Sequence, residues 1–253
     1  MNNKIIAMCG KGGVGKTSIS AVMVKILSET FPAKRILAID ADPSIGLATA
    51  LGVQEKGTIN DIREEFIRLA DQRKDAEAIE MLHEAKDRIF DSLVETDSFS
   101  FLAIGRPESA GCYCSVNDYL RDLITLVADH FDYVVIDGEA GIEQINRRVM
   151  EKVSHLVFVT DASRRGLDVI KTIDKVAREL VMYEKAGIIV NRIHDLQLAE
   201  HLDTGELPLL AAIGEDEIMQ YYDIEGRSVL DLPDSTRIYQ GVYKALEEMR
   251  IIE

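Results

Sequence analysis

The chain has 253 residues, with 29 Lys and Arg against 44 Asp and Glu, a formal net charge of −15 and 47% hydrophobic residues. That is the balance of a folded globular protein rather than a disordered one, and the acidic excess argues against non-specific binding to nucleic acid or an anionic membrane. No apolar run approaches the roughly 18 residues of a membrane span, and three cysteines (Cys9, Cys112, Cys114) cannot form a disulfide framework in a chain this long. The start, Met1-Asn2-Asn3-Lys4, has no basic region, apolar stretch or cleavage site of a secretory signal, so the expected location is the cytoplasm.

Apolar runs of strand length recur along the chain at Ile5–Cys9, Ile36–Ile39, Phe99–Ile104, Tyr133–Ile136, Leu156–Thr160, Ile188–Val190 and Leu209–Ile213. Stretches with helical spacing separate them. Runs apolar on both faces suit strands covered on both sides, so the alternation predicts an α/β fold, a mostly parallel sheet flanked by helices. Between Thr58 and Ile104 there is neither Gly nor Pro, and Ile59, Ile62, Phe66 and Leu69 recur at helical spacing. Two or three helices are expected to fill the connection at about 58–97, either as a solvated insertion or as a surface for a partner. With no repeat, low-complexity tract or linker, residues 1–253 read as one domain.

The first run leads into Gly10-Lys11-Gly12-Gly13-Val14-Gly15-Lys16-Thr17, which fits the phosphate-binding pattern G-x-x-x-x-G-K-[ST]. Its context, after a strand and before a helix carrying Ile19, Val22, Met23, Ile26 and Leu27, is that of a P-loop NTPase. Glycines let backbone N–H groups turn toward phosphate oxygens at the positive end of the helix. Lys16 can reach the β- and γ-phosphates, and Thr17 can place its hydroxyl on Mg²⁺. Candidate nucleotide contacts are Gly10, Lys11, Gly12, Gly13, Val14, Gly15, Lys16, Thr17 and Ser18.

Asp40-Ala41-Asp42-Pro43 ends the second run, where two carboxylates at i and i+2 either point at the ligand edge of the sheet or make an Asx turn. Val134-Val135-Ile136-Asp137 is an apolar strand ending in Asp, as in Walker B, so Asp137 is expected to serve Mg²⁺. Candidate magnesium residues are thus Thr17, Asp40 and Asp137. Gly111-Cys112-Tyr113-Cys114 follows the third run and precedes a helix expected near Asn117. Two thiols one residue apart supply half of a tetrahedral S₄ site; a two-fold axis would supply the other half, and two idle thiols are the alternative. The five histidines show no metal spacing.

The doubled lysine of Gly-Lys-Gly-Gly-Val-Gly-Lys-Thr resembles the deviant Walker A loop of the family that includes MinD, ParA and the nitrogenase iron protein. That resemblance implies that Lys11 reaches across a dimer to the partner's nucleotide, and that Lys11, Lys16 and Asp42 are the catalytic residues, Asp42 positioning the attacking water. It implies that Gly141, in a second switch segment where Glu139 stands for a family Pro, offers its N–H to the γ-phosphate. Asn191 and Arg192, ending Ile188-Ile189-Val190, resemble the base-recognition strand end. Asn-Lys-x-Asp is absent, since position 194 is His, which favours ATP over GTP. Ala212-Ile213-Gly214-Glu215-Asp216 occupies the place of the adenine loop, with Gly214 for the usual Pro.

Together with the C-x-C pair, these motifs are similar to the CooC-type ATPases that insert nickel into carbon monoxide dehydrogenase. The resemblance implies ATP and Mg²⁺ as cofactors, a homodimer formed with nucleotide, and Ni²⁺ or Zn²⁺ held between subunits by Cys112 and Cys114. It implies a client metalloenzyme, carbon monoxide dehydrogenase or a related acetyl-CoA synthase, and no nucleic-acid or membrane partner. An iron–sulfur reductase resembling the nitrogenase iron protein, or a positioning ATPase of MinD or ParA type, are the other readings. The former is weakened because 137–143 has no Cys, the latter because the last residues carry more acids than bases.

Overall fold

The computed structural model describes residues 3–72, 75–106, 114–138, 149 and 152–253. Eight strands form one sheet in the order β3-β4-β2-β5-β1-β6-β7-β8. They are β1 (Lys4–Gly10), β2 (Ile36–Asp40), β3 (Val94–Glu95), β4 (Ser100–Ala103), β5 (Tyr133–Asp137), β6 (Lys152–Thr160), β7 (Met182–Ile193) and β8 (Leu209–Gly214). All described pairings are parallel except β3 on β4. The expected α/β fold with a mostly parallel sheet is therefore present.

The helices are α1 (Lys16–Thr30), α2 (Gly46–Leu51), α3 (Ile59–Asp71), α4 (Asp75–Ser92), α5 (Cys114–Ala128), α6 (Arg164–Leu180), α7 (Glu217–Glu225) and α8 (Arg237–Glu248). Successive side chains of the central strand point to opposite faces. Ile6 and Met8 join one apolar cluster with α1, α2, α7 and α8. Ala7 and Cys9 join another with α3, α4, α5 and α6. Burial on both faces explains why the strands read as continuous apolar runs. Among the described residues no helix is long and apolar enough to cross a membrane.

Three boundaries differ from expectation. β6 and β7 begin well before Leu156 and Ile188, pairing from Lys152 with Met182. Their first halves carry exposed or half-buried polar residues such as Lys152, Ser154, Glu184 and Lys185, so a search for apolar runs misses them. The two-residue β3 is too short to leave a pattern. The helix expected near Asn117 begins at Cys114, so the second thiol residue opens a helix.

The connection after β2 contains two long helices, as its spacing predicts. Thr58 starts α3 with a capping box: its hydroxyl accepts from Asp61 N at 3.1 Å, and the Asp61 carboxylate accepts from Thr58 N at 2.7 Å. At the other edge, Asp216 caps two helices at once. One oxygen accepts from Met219 N in the first turn of α7 and the other from Ile238 N in the first turn of α8, each at 3.0 Å. Its carboxylate is thus spent on capping, a part the adenine-loop resemblance does not foresee. Because α8 has no cap from its own Thr236 side chain, Asp216→Ala is expected to cost about 1–2 kcal/mol for each cap lost, read as a lowered urea midpoint.

Candidate functional site

In an open parallel sheet, ligands sit beyond the carboxyl ends of the strands where the order reverses. Here that place is β1, because the chain moves outward to β2 and β4, returns to β5, and then crosses to β6. Gly10 ends β1, Asp40 ends β2, Asp137 ends β5 and Asn191 lies near the end of β7. The P-loop, the two acids and the Asn-Arg pair are thereby brought to one edge. Cys112 and Gly141 lie outside the described residues.

The loop at 10–15 has the shape its glycines permit. Gly10 has φ +141°, and a Cβ there would lie 2.1 Å from Val159 O of the neighbouring strand. Gly15 has φ +90°, and a Cβ there would lie 2.6 Å from Asn191 Nδ2. No other residue fits either position. Asn191, 5% exposed, donates from Nδ2 to Val14 O at 2.9 Å, and Arg192 donates from Nη1 to Gly13 O at 3.1 Å. The two residues that resemble a base reader therefore also shape the phosphate loop. Lys16 is 8% exposed and donates to Lys11 O at 3.1 Å and Gly10 O at 3.5 Å.

Asp137 is fully buried and accepts two hydroxyl hydrogen bonds from α1, from Thr17 Oγ1 at 2.7 Å and Ser20 Oγ at 3.1 Å. Ser20 lies one turn beyond Thr17, a spacing that puts both hydroxyls on one helix face; nothing in the motif singles it out. Asp40 is also fully buried, and its oxygens accept from Asp42 N at 3.1 Å and Leu47 N at 2.8 Å, wrapping the loop after β2 around the carboxylate. Asp42 makes the Asx turn that was the alternative reading, accepting from Ser44 N at 2.9 Å and Ser44 Oγ at 2.7 Å. Gly46 lies against Thr17, with Thr17 Cγ2 3.5 Å from where its Cβ would be. Hydroxyl and carboxylate oxygens gathered in this way are the donor set of a hard cation such as Mg²⁺.

Lys11 forms an ion pair the motif does not announce, its Nζ 2.6 Å from Asp161 Oδ2. Asp161 also accepts from Ser163 N at 3.0 Å and from the Ser163 hydroxyl. Burial pushes the Asp161 carboxyl up, but its bonds to Lys11 and Ser163 outweigh that and hold it below the usual range. The signal for Asp161 was present: like Asp40 and Asp137, it stands at the end of an apolar strand. Beyond the loop, Ser18, Asn191, Arg192, Gly214, Gln220 and Asp223 line a cleft. Burial raises the Asp223 carboxyl, an effect eased by the Arg192 charge.

The two buried acids make stability depend on pH. Burial first, and the Asp137 charge second, push Asp40 up to about 7. Burial pushes Asp137 up to about 6 against the Thr17 and Ser20 hydrogen bonds. An unfolded chain loses both protons near pH 4. Between about pH 4 and 7 the fold holds protons that the unfolded chain does not, so these groups contribute less stability as pH rises. Unfolding of the nucleotide-free protein is expected to show that decline, and Asp40→Asn to flatten it. A decline as steep in Asp40→Asn would assign it to other groups.

The family profile of the CobQ/CobB/MinD/ParA nucleotide binding domain matches residues 5–229. An uncharacterised ATP-binding protein of Methanocaldococcus jannaschii is 36% identical over 249 residues, covering 97% of this chain and 98% of the relative. The carbon monoxide dehydrogenase accessory protein CooC of Rhodospirillum rubrum is 30% identical over 243 residues, covering 92% of this chain and 91% of that protein. The septum site-determining protein MinD of Pyrococcus horikoshii, solved with Mg-ADP, shares the fold with a TM-score of 0.70 at 23% identity, over 98% of this chain and 96% of that one. The chain thus belongs to the CobQ/CobB/MinD/ParA nucleotide-binding family and is one of its P-loop ATPases.

Proposed function

We propose that this chain is a cytoplasmic, single-domain metallochaperone ATPase, which couples ATP-driven dimerisation to loading a metal ion into a client enzyme, with nickel insertion into carbon monoxide dehydrogenase as the leading case. The observation that carries the reading is Cys112-Tyr113-Cys114 in a chain alike over most of its length to a protein named as a carbon monoxide dehydrogenase accessory protein. Two thiolates per chain leave a soft tetrahedral metal half-ligated. Cys9 cannot complete the set, since it is fully buried in β1. Among the described residues no cluster of three or more His, Cys, Asp or Glu offers another metal site. A second copy of the chain supplies the missing pair by symmetry.

In this reading the loop amides at 10–15 and Lys16 hold the phosphates of ATP, and Thr17 and Asp137 hold Mg²⁺, which neutralises charge on the β- and γ-phosphates. Asp40 keeps the loop after β2 in place, Asp42 orients the attacking water, and Gly141 adds an amide. Asn191 offers the purine its remaining amide hydrogen and oxygen, with Arg192 beside it. Lys11 leaves Asp161 to reach the partner's nucleotide. A membrane-positioning role of MinD type is the other reading; α8 itself offers a membrane no apolar face, since Ile238, Tyr239, Val242, Ala245 and Leu246 are buried in the core.

The decisive experiment titrates Ni²⁺ or Zn²⁺ into anaerobically purified protein with and without ATP. One metal per dimer is expected, with Cys112→Ser and Cys114→Ser each losing the metal while retaining ATP, and Cys9→Ser retaining both. Because the ligands are thiolates, binding should weaken at low pH. A tight site that survives loss of both Cys112 and Cys114 sinks the metallochaperone reading, and an iron–sulfur chromophore in place of a simple ion returns the reductase.

Light scattering with ATP and Mg²⁺ tests Lys11. Asp42→Ala is expected to hold the dimer without turnover, and Lys11→Ala to remain monomeric. Asp161→Ala, which frees Lys11, should dimerise at lower ATP. Equal dimerisation of Lys11→Ala and the parent rules out the trans role.

A further inference from the structure

The amino-terminal edge of the sheet, opposite the P-loop, holds none of the nucleotide residues. There the approaches to β2, β4 and β5 enclose, with the end of α4, a cavity of about 430 Å³. Its size is that of a small-molecule site, and its lining combines apolar walls with a few charged groups as such sites do. Buried Ile36, Leu93 and Phe99 give it an apolar base. On one side Phe90 and His130 meet edge to face with ring centroids 5.7 Å apart, and His130 Nδ1 donates to Leu126 O at 2.9 Å, which holds the ring.

Charges of both signs line this cavity without meeting. On the connection from α1 to β2, Lys34 is spent on Asp132, its Nζ 3.0 Å from Oδ1, while Arg35 N donates to Oδ2 at 2.9 Å. That fixes the backbone of Arg35 and leaves its guanidinium with no hydrogen bond or ion pair among the described residues. On the turn from β3 to β4, the carboxylates of Glu95 and Asp97 likewise have no cation among the described residues. The turn is tied down, since the Thr96 hydroxyl accepts from Phe99 N at 3.0 Å and donates to Phe99 O at 2.7 Å. A cation and two carboxylates that share a lining and do not pair across it leave a gap between them for a ligand.

We propose that this cavity binds an apolar zwitterion of the dipeptide class, with its carboxylate on Arg35, its ammonium on Glu95 and Asp97, and its side chains against Phe90, Leu93 and Phe99. An apolar anion would leave two unpaired acids beside it, and an apolar cation would leave Arg35 so; a ligand with both charges satisfies both walls. In a free amino acid the two charges sit on one carbon, too close together to reach opposite walls, whereas a peptide unit separates them. The terminus of a partner protein carries one of the two charges and not the other. The inference does not rest on the metallochaperone reading, because the cavity lies at the opposite edge from the P-loop.

The test titrates leucyl-phenylalanine, its N-acetyl form and its C-terminal amide into full-length protein by calorimetry, with ATP affinity measured alongside. The parent is expected to bind the free dipeptide saturably and either blocked form about tenfold more weakly, since each loses one charge-assisted contact. Arg35→Gln should lose the preference for the free dipeptide over the amide but retain its preference over the N-acetyl form. The double variant Glu95→Gln, Asp97→Asn should show the converse, which ties each ligand charge to one wall. All three positions are exposed, so the variants leave the core intact, and ATP affinity should not change. Absence of saturable binding at millimolar dipeptide overturns the proposal, as does discrimination that survives in both variants. A parent that binds the N-acetyl form as tightly as the free dipeptide overturns it in favour of a protein C-terminus. Equal binding of the amide overturns it in favour of a protein N-terminus, and equal binding of all three in favour of apolar contact alone.

Discussion

Two buried carboxylates standing side by side govern the nucleotide edge of this sheet. Asp40 and Asp137 are register partners at the ends of β2 and β5, and neither is exposed. Burying a carboxylate without a partner cation costs of order several kcal/mol. The fold offsets that cost with hydrogen bonds, and those bonds place everything around the acids. Asp137 draws α1 toward β5 through Thr17 and Ser20, and Asp40 wraps the following loop through Asp42 and Leu47. A divalent cation at this point would relieve the same strain, because it favours the ionised form of both acids. A cation bound there would depend on the same oxygen atoms as the fold, and a change of charge at the pair reaches helix and loop together.

Legibility in the sequence follows from how local each cause is. The strands buried on both faces show as apolar runs, and the P-loop shows because Gly10 and Gly15 meet constraints no side chain tolerates. What escaped was set by distant partners. The polar first halves of β6 and β7 take their strand form from each other, through pairings about thirty residues apart in sequence. Ser20 matters because Asp137 lies opposite it, and Asp216 because the starts of two helices converge on it. Asn191 lies near the end of β7, and its bond to Val14 spans 177 positions, which no local pattern encodes.

The connection at 58–97 shows the same distinction. Its helices were legible from spacing and from the absence of Gly and Pro. Its contacts were not, because Asn60 and Arg63 carry no motif and their partners Arg106 and Asn117 come later in the chain. A buried arginine at a helix–helix junction is costly unless hydrogen-bonded, and Arg63 meets that cost by donating from Nε to Asn117 Oδ1 of α5 at 2.8 Å. The capping box at Thr58 fixes the end of α3 from which both side chains project.

The magnitude of the Lys11–Asp161 pair bears on the proposed dimer. Its side chains are 37% and 34% exposed, so water and salt screen it and its net contribution is at most about 1 kcal/mol. A lysine in a dry, fully buried pair could not be withdrawn at that cost. A lysine free in solvent would lose more side-chain entropy on meeting a phosphate. The half-exposed pair lies between these cases, and the trans role proposed for Lys11 would require breaking it for the stronger charge of a nucleotide. The loop beneath is tied to β7 by Asn191 and Arg192. Under the trans role proposed for Lys11, the motion would be confined to its own side chain, and the partner's nucleotide, rather than a refolding of the loop, would decide whether two copies associate.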